Sequence, residues 1–116
     1  MNTSAVIPLL FLSISLPASA DPLLATREQL LNNDKVEVVR ATYAPGAESG
    51  MHTHAYPTRV AYFVKGGTLA LTSEDETQPP KILTVDDGKV LYLPGATHNV
   101  KNVGASEVIL VETELK

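Results

Sequence analysis

The sequence predicts an all-β fold, a single small sandwich or barrel of short strands. Three observations carry that expectation. Runs dense in Val, Ile, Thr and Tyr recur from Val36 to the end of the chain. Turn signals separate them at Ala44-Pro45-Gly46, Gly66-Gly67, Asp86-Asp87-Gly88 and Pro94-Gly95. No stretch beyond residue 35 reads as a helix. Together they give seven or eight short strands, the pattern of a sandwich or barrel.

The elements follow in order. Residues 1–20 read as a signal peptide: a short polar start, an apolar run from Ala5 to Leu16, then Ala18-Ser19-Ala20 as a small-residue cleavage pattern. The run is too short for a membrane anchor, which needs about 20 apolar residues. Export to the periplasm or medium is expected, with no membrane association after cleavage. Residues 21–116 then form one domain. At that size a chain buries around 60–70% of its unfolded surface, enough to fold without staples.

Leu23 to Leu31 is expected as a short helical or irregular segment, with Thr26 as N-cap and Gln29 three residues later. Val36 to Tyr43 is a strand. Met51 to His54 is short and extended and stops before Pro57. Arg59 to Lys65 is a strand with Arg59, Ala61 and Phe63 on one face. Gly66-Gly67 is expected to turn it into a hairpin with Thr68 to Thr72. Strands follow at Lys81 to Val85, Val90 to Leu93, His98 to Asn102 and Ser106 to Thr113, with Val108, Leu110 and Glu112 sharing a face in the last.

Composition narrows the function. The 116 residues contain no Cys, which excludes disulfides and thiolate metal sites. The net charge is −4, and no basic surface for nucleic acid is apparent. The chemistry-bearing residues are the three histidines. His52 and His54 are one residue apart, so on a strand they share a face and reach one common point. His98 lies far along the chain. A metal site exists if the fold brings it back.

The spacing resembles that of the cupins. Gly46, His52, His54, Arg59 and Gly66 match the first cupin motif, and Gly88, Pro94, His98 and Asn102 the second. There are two departures. Arg59 stands where the family has a glutamate, and the segment from Pro94 to His98 is one residue shorter than usual. The resemblance implies a jelly-roll barrel of roughly seven to nine strands. It also implies His52, His54 and His98 as ligands of a divalent transition metal (Fe, Zn, Ni, Cu or Mn). Cupins commonly dimerise, so a homodimer is expected, with Leu23, Leu24, Leu30 and Leu31 or the strand tyrosines Tyr62 and Tyr92 at its surface.

Three neutral imidazoles leave two or three metal positions open to water or substrate. Arg59 decides much of the rest, and three outcomes stay open. It binds a small anion beside the metal, resembling the three-histidine thiol dioxygenases; it takes the metal's place; or it swings to the rim and pairs with an acid. Tyr56 shares the parity of His52 and His54, and Phe63 lines the barrel below them. Arg59, Tyr56 and Phe63 are therefore the candidate ligand-binding residues. Two functions follow. One is a three-histidine oxidoreductase acting on a small anionic molecule. The other is a non-catalytic, metal-free binding or interaction module, favoured by the lack of an evident general base.

Overall fold

The computed structural model describes residues 4–10 and 21–116. Much of the predicted signal peptide, residues 1–3 and 11–20, lies outside the described residues.

Nine strands and no helix make up the described chain. They are β1 (Thr26–Asn32), β2 (Val36–Tyr43), β3 (His52–Thr53), β4 (Thr58–Lys65), β5 (Gly67–Ser73), β6 (Lys81–Val85), β7 (Val90–Pro94), β8 (Thr97–Asn102) and β9 (Val108–Leu115). Two antiparallel sheets face each other, one ordered β1-β2-β9-β4-β7, the other β3-β8-β5-β6. The core fills the space between them. Ala41, Tyr43, Ala61, Phe63, Val108 and Leu110 come from the first sheet, and Leu69, Val85 and Val100 from the second. Each set alternates along its strand, as a pleated sheet with one covered face requires.

Two local expectations are corrected. The segment expected as helical is strand β1, paired with β2 from Thr26↔Thr42 to Asn32↔Glu37, with an irregularity between Gln29 and Leu31. A nine-residue helix is marginal by itself. Pairing with the open edge of β2 satisfies the same backbone groups. Leu30 and Leu31 remain about half exposed there.

The expected hairpin at Gly66-Gly67 is instead a crossing between sheets, because β4 pairs with β7 and β9 while β5 pairs with β6 and β8. Gly66 makes the crossing feasible. A Cβ at that position would stand 2.1 Å from the Val85 carbonyl oxygen.

Asn102 anchors the end of β8. It is fully buried, and its amide donates to the carbonyls of Tyr43 at 3.0 Å and Ser106 at 2.8 Å while its Oδ1 accepts from the Gly104 N–H. It ties three chain segments together, and its side-chain hydrogen bonds go to none of the histidines.

Candidate metal centre

The fold returns His98 to the histidine pair. On β3 and β8, His52 stands directly opposite His98. His54 lies just past β3, where its N–H bonds the Ala96 carbonyl at 2.8 Å. Gly95 permits this close packing: a Cβ there would lie 3.0 Å from the carbonyl oxygens of both His54 and Tyr56. The shorter loop between Pro94 and His98 thus leaves His98 facing inward, 8% exposed. The three rings meet edge to face with centroids 4.7, 4.8 and 5.1 Å apart. One ligand atom from each falls within 4.8 Å of the others.

The partners of the outer nitrogens fix which way the lone pairs point. His52 Nδ1 lies 2.8 Å from the Gly50 carbonyl, which only accepts, so Nδ1 carries the proton. His54 Nδ1 makes a short hydrogen bond to Glu114 Oε1, and Glu112 Oε1 stands 3.5 Å away. A carboxylate acceptor again places the proton on Nδ1. In the neutral rings both Nε2 atoms are then bare, and they face each other at 2.9 Å. Two converging lone pairs at that distance repel unless a proton or a metal cation lies between them. Bonds of ~2.1 Å meeting near a right angle would separate two nitrogens by about 3.0 Å. The donor set therefore fits a metal ion held on one face by His52, His54 and His98.

The electrostatics favour the neutral form of His54 and His98. Burial, reinforced by the Arg59 guanidinium and then by His52, pulls His54 from 6.5 down to about 3. The same causes take His98 to about 4. Burial pushes Glu112 and Glu114 above the ordinary carboxylate range, and Arg59 opposes that rise in both.

Arg59 faces inward beside Ala61 and Phe63, all three at 3% exposure or less. Its burial removes the rim position from the three outcomes. Among the described residues its Nε and Nη1 have no hydrogen-bond partner, and neither has Glu114 Oε2.

Two adjoining spaces surround the histidines. An inner cavity of about 50 Å³ is walled by Phe63, Leu71, Leu83, Leu93 and Leu110, with Arg59 and Glu112 as its charged members together with Arg27. An outer groove of about 330 Å³ runs past Arg27, Glu37, Tyr56 and Glu114. His52, His54 and Arg27 border both. Phe63 therefore lines the inner space, whereas Tyr56 lies in the outer groove, its ring 5.9 Å beneath the Lys116 ammonium. Neither Glu112 nor Glu114 is among the site residues expected from the sequence. Glu112 and Glu114 share the strand parity of Val108 and Leu110, which was the available signal.

Two facing antiparallel sheets with three inward histidines from β3, β8 and the loop between β3 and β4 define a cupin. Comparisons with known proteins agree. No family model matches the chain. The β-alanine degradation protein BauB of Pseudomonas aeruginosa is 36% identical over 87 residues, 74% of this chain and 87% of that protein. A cupin domain from Bordetella pertussis Tohama I superposes with a TM-score of 0.74 at 26% identity, covering 84% of this chain and 98% of that one. Oxalate oxidase in complex with the substrate analogue glycolate shares the fold at a TM-score of 0.60 and 24% identity, over 85% of this chain and 54% of that one. The chain belongs to the cupin family, with BauB among its relatives.

Proposed function

We propose that this protein is a three-histidine metal enzyme, an oxidoreductase of dioxygenase-like type that acts on a small carboxylate. The convergence of the bare Nε2 atoms of His52 and His54 at 2.9 Å, with His98 beside them, is the observation that carries the reading. A metal held there supplies Lewis acidity and open positions for substrate and oxidant. Glu114 holds the Nδ1 proton of His54 and fixes its ring, as an outer carboxylate does for a ligating imidazole. Arg59 offers buried N–H donors to an anion entering the inner cavity. The apolar walls exclude bulk water, so the guanidinium acts at low dielectric. The relative BauB, by its name a β-alanine degradation protein, supports a short-chain carboxylate as substrate class.

The same reading includes export after loss of residues 1–20 and assembly as a homodimer. The apolar leader supports the first, and exposed Tyr62 and Tyr92 on the outer face support the second. It is tested by oxygen uptake with protein reconstituted with Fe(II), against a panel of short carboxylates. Turnover that disappears in His54→Ala with the fold intact is the expected result. Absence of turnover with every carboxylate, despite full metal loading, rejects the enzymatic reading and leaves a binding module.

A further inference from the structure

We infer that the inner cavity is built for a small amino acid, its carboxylate on Arg59 and its ammonium on Glu112. The inference rests on the carboxylate reading above and names the ligand class for that site.

The cavity holds complementary groups that do not satisfy each other. Arg59 is 3% exposed and lines the cavity, with Nε and Nη1 unpartnered among the described residues. Buried N–H groups without acceptors are costly, and a guanidinium more so. Glu112 lines the same cavity. Its Oε1 stands 3.5 Å from His54 Nδ1, because the His54 proton is directed to Glu114. Among the described residues no ion pair within 4.0 Å joins Arg59 to either glutamate; the carboxylate contacts found are those of His54.

The strand register explains the separation. Across β4 and β9, Arg59 stands opposite Glu114 and Ala61 opposite Glu112. Glu112 is thus diagonal to Arg59 on the same inward face, beyond a small side chain that leaves the gap open. Arg27 also borders the cavity, but it is exposed and screened by solvent, so a ligand bearing only a carboxylate would satisfy Arg59 and be repelled by Glu112. An ammonium at its other end turns that repulsion into attraction. The cavity volume of about 50 Å³ limits the molecule to a few heavy atoms between the two charges.

Calorimetric titration of the protein as purified tests this with matched pairs: glycine, β-alanine and 4-aminobutanoate against acetate, propionate and butyrate. At least one amino acid should bind about tenfold more tightly than its partner without the amino group, the scale of one partly buried charge contact. Glu112→Gln, which keeps the shape and removes the charge, should abolish that preference while leaving binding of the plain carboxylate in place. Arg59→Lys should weaken both members of the pair. Plain carboxylates binding as tightly as the amino acids in the wild type overturn the inference but leave the carboxylate reading standing. Failure of both classes to bind overturns both.

Discussion

Arg59 and Glu114 stand opposite each other across β4 and β9. From there Glu114 holds the Nδ1 proton of His54 instead of pointing at the centre of the three rings. Glu114→Gln should therefore weaken metal binding by about 10–100-fold without unfolding the protein, the usual effect of losing an outer carboxylate. Competition against a chromophoric chelator measures it. Unchanged affinity would remove Glu114 from the site.

Arg59 balances two carboxylates that burial has already pushed upward. Arg59→Met removes the charge that opposes that rise and should lower stability near neutral pH. A carboxylate whose folded pKa lies above its unfolded value stabilises at low pH and loses that contribution as pH rises. The loss in Arg59→Met should therefore be larger at pH 8 than at pH 5. Urea unfolding at the two values decides it, and a loss independent of pH would contradict the charge account.

His54 and His98 carry the opposite sign. Their folded values of about 3 and about 4 lie below the ordinary 6.5. The unfolded chain then binds more protons than the native one in that interval. The metal-free protein should hold this contribution in full above about pH 6.5 and lose it as pH falls toward about 3. Replacing His54 by Gln should flatten the slope of stability against pH between those limits. An equally steep slope in the variant would mean that His54 is not held neutral by its surroundings.

Much of this was legible in the sequence. Strand alternation placed Arg59, Ala61 and Phe63 on the inward face, and the two-motif spacing brought His98 to the first pair. What escaped depends on pairing between distant segments. β1 read as a helix because the edge of β2 that captures it is a tertiary feature. The turn at Gly66 read as a hairpin because its close approach to Val85 and Asp86, about twenty residues away, is a tertiary feature. Glu114 escaped because its importance comes from facing Arg59 across a strand pair that joins the middle of the chain to its end.

Asn102 separates fold from site. Asn102→Ala removes three hydrogen bonds, one buried and two part-buried, and should cost roughly 2–4 kcal/mol. Metal stoichiometry of the folded fraction should not change, since the Asn102 side chain hydrogen-bonds none of the histidines. A specific loss of metal from a protein of native stability would contradict this division.

The central claim is that His52, His54 and His98 converge on a metal ion. Elemental analysis of protein purified without chelator and then equilibrated with Fe(II), Zn(II) or Cu(II) tests it most directly, beside His54→Ala. The account predicts about one equivalent in the wild type and a large loss in the variant. Less than about a tenth of an equivalent in the wild type with all three metals would contradict it.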